Sequence, residues 1–153
     1  MSLEGLVGAA LFSMSPILEV RGGIPWAIAL GSSPLTAYTV SVVFNILTIP
    51  LIFFFLDFIH IKFMKINFYA KLFNLYLGRV RRKAEVKIQS NWPYFGLFLF
   101  VGLPLPGTGI WTAGLISWFF GMNRKKSFIT IALGSMLAGL LTLLITVGVI
   151  KLF

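Results

Sequence analysis

Apolar residues in this chain fall in long blocks rather than in the alternating or one-faced patterns of soluble strands and helices, so the informative positions are the ones that cut the blocks. Residues 35–56 and 128–150 are free of charge and reach the ~20 residues needed to cross hydrocarbon. Each is predicted to be a transmembrane helix. The block at 5–15 stops at Pro16, too short to span, and 26–30 is shorter still. Gly31-Ser-Ser-Pro34 then signals a turn, with Ser32 or Ser33 as N-cap of the next helix. Two half-length helices around a Pro/Gly break predict a re-entrant hairpin over 5–31. Residues 92–120 repeat the pattern, with arms 94–101 and 110–120 around Gly102-Leu-Pro104-Leu-Pro106-Gly107-Thr108-Gly109. This stretch either spans once with a kink or forms a second hairpin.

Charge chooses between those two. Residues 57–91 hold eight of the thirteen Lys and Arg residues, and Arg124-Lys-Lys126 directly follows the second broken stretch. Placing both basic clusters in the cytoplasm requires an even number of crossings between them, which a hairpin satisfies and a single span does not. Within 57–91, Lys62, Lys65 and Lys71 interleave with Phe63, Phe68, Tyr69, Phe73 and Tyr76, as in an interfacial amphipathic helix. Arg79-Val-Arg81-Arg82-Lys83 then reads as a solvated helix. The expected fold is an all-α integral membrane protein, a single domain over 1–153 built from two inverted repeats. Each repeat is a re-entrant hairpin followed by a transmembrane helix, the two joined by the basic segment, with both termini outside. A sequence echo of Gly23-Ile-Pro-Trp-Ala27 in Gly109-Ile-Trp-Thr-Ala113 supports the repeat.

Composition agrees and removes function classes. The chain is 58% hydrophobic and 11% charged, with mean hydropathy +0.95, far from the soluble average of roughly a quarter charged residues. Its net charge of +9 is assigned to membrane orientation, since a nucleic-acid groove needs soluble surface. With no cysteine, one histidine (His60) and no paired carboxylates, no enzyme, metal or cofactor site is expected. The start, lacking a basic region, is not read as a removable signal peptide.

The candidate chemistry sits in the breaks. An acid and a base at membrane depth persist only when buried in protein or facing a water-filled cavity. Glu19 and Arg21, with Gly22, Gly23 and Pro25 to bend the backbone, form the expected substrate and proton site. Arg21 suits a phosphate or carboxylate and Glu19 suits proton exchange. The competing reading is an ion pair that closes the hairpin. In the second break no charged side chain is available, so Pro104, Pro106, Gly107, Thr108 and Gly109 are expected to act through backbone groups and the start of the following half-helix, or else only to allow the turn. Asn45 either lines the site or makes an interhelical hydrogen bond. Pro50 is expected to kink its helix, and Gly134, Ser135, Ala138 and Gly139 to give a close-packing face.

Glu19-Val-Arg-Gly-Gly-Ile-Pro25 and Pro104-Leu-Pro-Gly-Thr-Gly109-Ile-Trp, one in each half, resemble the small multidrug export family of prokaryotic membrane proteins, related to the DedA/VTT superfamily. The resemblance implies a protein of the inner membrane with two facing re-entrant hairpins and a transport-like role. DedA relatives typically carry two arginines in the second hairpin, where this chain has Leu103 and Gly109, leaving Arg21 the one cation at membrane depth. The leading expectation is a DedA-like transporter or scramblase for a lipid-type or anionic amphipathic substrate, proton-coupled and homo-oligomeric. Its partners would be membrane lipids, anionic or polyprenyl phosphate, and not nucleic acid. The alternatives are a proton-coupled exporter of lipophilic cations and a non-transporting membrane scaffold.

Overall fold

The computed structural model describes residues 3–63, 92–105 and 107–152. Among the described residues six helices follow one another: α1 (Leu3–Met14), α2 (Glu19–Ala29), α3 (Pro34–Phe63), α4 (Trp92–Gly102), α5 (Ile110–Phe119) and α6 (Arg124–Leu152). At a rise of 1.5 Å per residue the four short helices are each ~15–18 Å long, about half a hydrocarbon core, whereas α3 and α6 reach ~45 Å. Two windows, Pro34–Phe58 and Arg124–Ile150, are long and apolar enough to cross a membrane. Both keep most of their surface outside the packed interior, with Leu35, Phe54 and Leu144 well exposed. A core helix of a soluble protein hides such side chains; an apolar exterior of this extent matches lipid. The protein is a membrane protein, all-helical among the described residues.

Both long helices run beyond their expected bounds. Asp57 does not end α3, which continues to Phe63, because charge without a helix breaker leaves the backbone ladder intact. Likewise α6 begins at Arg124, where the Asn123 carboxamide accepts the Lys126 N–H at 3.2 Å and caps the first turn. Ser33 does the same for α3, accepting the Thr36 N–H at 3.2 Å. Pro25 and Pro50 lie inside α2 and α3 and remove one ladder bond each without ending either helix. The amphipathic helix expected within 57–91 falls outside the described residues from 64 onward, as do Pro106 and the side chain of His60.

The turns after α2 and α5 are alike bond for bond. Gly31 and, ninety positions later, Gly121 take positive φ (81° and 63°), where a Cβ is costly. Ser32 and Met122 donate their N–H groups back to the carbonyls of Ala27 and Ser117, at 2.9 Å in both cases. This six-to-one closure ends the helix and turns the chain into the long one. The matching turns lie ninety positions apart, one helical turn more than the spacing of Gly23 and Gly109 in the sequence echo. At that spacing Ala113 lies ninety positions after Gly23, and Gly109 ninety after Glu19.

Helices α3 and α6 cross antiparallel at their small residues. Gly139 rests on Val42 and Tyr38, the Tyr38 hydroxyl donates to the Met136 carbonyl at 3.1 Å, and Ala138 packs with Val20, Ile24 and Val42. At the basic end Arg124 pairs with Asp57 at 2.6 Å. Helix α1 lies along α2 and α3 through Ala9, Ala27 and Ala37, and α4 lies along α6, with Gly134 against Val101 and Gly102 against Leu137. Helix α5 packs on α3, Gly114 meeting Ile52. Helices α1 and α2 pack along their length, whereas α4 and α5 touch only briefly. Tyr94, at the start of α4, accepts the Asn123 N–H at 3.1 Å. The chain therefore begins α4 and ends α5 at the same level of α6.

Candidate functional site

Each broken pair leaves backbone groups without helical partners, and the two breaks meet. In the first, the Ser15 hydroxyl donates to the Phe12 carbonyl at 2.8 Å and accepts the Leu18 N–H at 3.1 Å, a side-chain bridge across the turn between α1 and α2. Glu19 opens α2 at φ 50°, a left-handed backbone that a residue with a Cβ seldom adopts. This conformation goes with a carboxylate buried to 5% exposure and directed into the second break. There it accepts the backbone N–H groups of Ile110 and Trp111, the first residues of α5. Gly109 precedes them, and a methyl group added to it would fall on both carboxylate oxygens.

Glu19 thus serves as the N-cap that α5 lacks in its own sequence. Gly109 has no side chain to offer, and the orphan donors of a helix start are satisfied by a carboxylate from ninety residues upstream, where the helix dipole also favours negative charge.

Arg21 does the complementary work. Its Nη1 donates to the Leu105 carbonyl, and its Nη2 lies 3.2 Å from the Leu103 carbonyl, 3.3 Å from the Thr108 carbonyl and 3.1 Å from Thr108 Oγ1. The Thr108 hydroxyl in turn lies 2.9 Å from the Leu103 carbonyl and 2.8 Å from that of Leu105. A single guanidinium and a single hydroxyl therefore hold the carbonyls of the turn that follows α4. Acid and base each go to the opposite break, the acid to amide hydrogens and the base to carbonyl oxygens.

Of the other expected positions, Gly23 is buried where α2 presses on α1 and α3, and Gly22 faces Leu18. Pro25 lies one turn further along α2, and Pro104 and Gly107, the latter at φ 80°, shape the second turn. Asn45 is placed apart from the clasp. Fully buried, its Nδ2 donates to the Ser13 carbonyl at 2.6 Å and its Oδ1 accepts the Ser135 hydroxyl at 2.7 Å, tying α1, α3 and α6 together. The interhelical bond is what its amide makes.

Trp111 is not singled out by sequence reasoning. Its indole Nε1 donates to the Met14 carbonyl at 3.2 Å, a third bridge between the breaks. A tryptophan just inside a half-helix after a Gly-rich turn carries that signal only once the first break is known to face it. Outward from the clasp Ile17, Leu18, Leu103 and Leu105 are exposed, so its rim is apolar.

Neither the curated proteins nor the solved structures contain a match to this chain. A family model described as "Putative small multi-drug export protein" matches residues 19–141. The match begins at Glu19, runs through the first membrane-spanning window and the second break, and ends within the second window. Covering well over half of the sequence, it shows that the chain belongs to the small multi-drug export protein family.

Proposed function

We propose that this protein is a proton-coupled exporter of lipophilic cations in which Glu19 binds proton and cargo in alternation. The observation that carries the reading is the burial of the Glu19 carboxylate at the junction of the two breaks, against the first N–H groups of α5. Among the described residues no other acid is buried. A buried carboxylate in a membrane protein is costly unless it has work to do, and exchanging a proton for a cationic cargo leaves the net charge at the carboxylate the same before and after the exchange. Family membership favours export, and the exposed Ile17, Leu18, Leu103 and Leu105 give an apolar approach for a lipophilic molecule. Because α5 sits on the carboxylate, cargo reaches Glu19 only when the clasp opens.

In this reading each broken pair is a re-entrant hairpin and the two halves are inverted repeats in one membrane domain. The level return of α4 and α5 beside α6 and the identical turns at Gly31 and Gly121 support it. The basic residues at 57–91 and 124–126 lie in the cytoplasm, the termini outside, and the protein assembles as a homo-oligomer in a prokaryotic inner membrane.

One observation favours a second reading, the DedA-like transport or scrambling of an anionic lipid. Arg21 Nε is a buried donor with no acceptor, open to a phosphate oxygen. Against it, both terminal nitrogens of Arg21 are already committed to carbonyls of the second break.

Proteoliposomes loaded under a pH gradient test both. A fluorescent lipophilic cation should move in a protein-dependent way that Glu19→Gln abolishes, while a labelled phospholipid or polyprenyl phosphate does not. Lipid flux lost in Arg21→Ala, with no cation flux, would overturn the export reading in favour of the second. No flux of either kind from well-folded protein would leave a membrane scaffold.

A further inference from the structure

The two arms of the second break are not held alike. Helix α4 is seated on α6 by close backbone approaches, Gly134 meeting Val101 and the Phe98 carbonyl and Gly102 meeting Leu137. Helix α5 barely touches α4 and buries a face of Ile110, Ala113, Gly114 and Ser117, of which only Ile110 is large, with Gly114 against Ile52 of α3. Polar bonds hold α5 at both ends. At its start Ile110 and Trp111 donate their N–H groups to Glu19, and the Trp111 indole donates to the Met14 carbonyl. At its finish the Trp118 indole Nε1 donates to Asp57 Oδ1 at 2.8 Å. Asp57 is itself anchored, because Arg124 at the head of α6 donates Nη1 to Oδ2 at 2.8 Å and Nη2 to Oδ1 at 2.6 Å. A glycine stands on either flank: Gly109, between the helix and the Thr108 that Arg21 holds, and Gly121, at positive φ with open space where a Cβ would stand.

We infer that α5 is the gate over Glu19, moving as one body between Gly109 and Gly121, and that Asp57 is a positioning residue that sets, through the Trp118 indole, how often the gate lifts. The gate has a purpose only under the export reading, on which it rests, since there proton and cargo must reach Glu19. A helix held by hydrogen bonds at its ends and by small side chains along its buried face can tilt without unlocking an interdigitated surface. In lipid the parted apolar faces meet a medium as apolar as themselves, so no hydrophobic cost opposes the movement. The seam between α4 and α6, with a carbonyl and a valine packed onto Gly134, resists such movement. From Ile110 to Trp118 the helix rises about 12 Å, so Asp57 acts on the Glu19 junction only through α5. Loosening the Trp118 end makes it easier to withdraw the first N–H groups from the carboxylate.

The chain has no cysteine, so introduced pairs can pin either arm of the second break. A Cβ at Gly114 would stand 3.7 Å from that of Ile52, and one at Gly102 3.7 Å from that of Leu137, the spacing a disulfide spans. The readout is modification of Glu19 by dicyclohexylcarbodiimide, a lipophilic reagent that adds to a protonated carboxyl group, followed by peptide mass on the full chain in liposomes at one pH. Oxidised Ile52→Cys/Gly114→Cys, with α5 pinned to α3, should block modification, and reductant should restore it. Oxidised Gly102→Cys/Leu137→Cys, with α4 pinned to α6, should react as the wild type does. Trp118→Phe and Asp57→Ala should each speed modification about fivefold, the worth of one ordinary hydrogen bond, at a Tm close to that of the wild type. The two together should do no more than Asp57→Ala alone. A wild type that is never modified, modification indifferent to the α5 disulfide, or a block as complete from the α4 disulfide overturns the gate. Unchanged rates in Trp118→Phe and Asp57→Ala, or effects that add, overturn the role of Asp57. Should a cysteine pair fail to fold, amide exchange in the wild type decides, since α5 should exchange faster than α4 and the reverse order overturns the gate. Modification needs no cargo. A gate that opens without cation flux would count against export alone, whereas cation flux through the oxidised Ile52→Cys/Gly114→Cys protein would count against the gate alone.

Discussion

The two broken helix pairs have the same outline and opposite chemistry. The pair α1/α2 packs arm against arm and carries an acid and a base at its break; the pair α4/α5 has arms that barely touch and a break without any charged side chain. What the second pair lacks the first provides, since Glu19 caps α5 and Arg21 holds the carbonyls at 103, 105 and 108. A half-helix ending inside a membrane must satisfy its backbone there, either by its own turn or by a neighbour. The comparison teaches that a charged pair set in apolar sequence is read as a site by its residue types, yet here both groups are spent on backbone. The proposed export cycle would have the second pair give one of them up.

Breaking this dependence has graded consequences. Removing the base should cost most, because Arg21→Ala leaves several carbonyls of the second break without a donor. A loss of about 2–3 kcal/mol, seen as lowered Tm together with protease cleavage at 103–108, is expected, at the upper end of the cost of unpairing buried polar groups. Next comes Gly23→Ala, whose methyl would press on the Ser13 hydroxyl and the Ala9 carbonyl. Overpacking against backbone puts it at about 1–3 kcal/mol, measurable in the same unfolding assay. Glu19→Gln keeps an oxygen acceptor for the α5 N–H groups and should alter Tm little, about 1 kcal/mol or less, while abolishing proton-driven export. A parallel loss of fold and flux would instead make Glu19 purely structural.

Smaller effects mark the limits of the clasp. Gly107→Ala faces open space and meets only the left-handed backbone cost of about 1 kcal/mol, so it should be milder than a methyl at Gly109 in the same turn. The Asp57–Arg124 pair, with both side chains roughly half exposed, should contribute no more than about 1 kcal/mol when Asp57→Asn is compared with the wild type.

Much of this architecture is legible in the sequence because membrane helices announce themselves by block length. The long blocks, the two breaks and the turn glycines Gly31 and Gly121 are all visible as interruptions in apolar runs. The candidate residues Glu19 and Arg21 stand out for the same reason. Their partners do not, because backbone N–H and carbonyl groups are present at every position and only geometry says which are left over. Helix ends were harder as well. Asp57 looks like a boundary by charge, but α3 passes through it, and α6 takes in the charged run from Arg124 before its apolar block, since solvation of a side chain at the membrane surface does not disturb the ladder beneath it. The two alike turns at Gly31 and Gly121 are related by ninety positions, whereas the echo of Gly23 in Gly109 is related by eighty-six, one helical turn less.

The clasp itself is tested most directly by a steric cycle between its two sides. Gly109→Ala is introduced into the wild type and into Glu19→Ala, and the Tm of all four proteins is measured in the same detergent. The added methyl should be strongly destabilising where the carboxylate is present and nearly silent where Glu19 has been cut back. An equal cost in both backgrounds would mean that Glu19 does not sit on Gly109, and that the two breaks do not form one site.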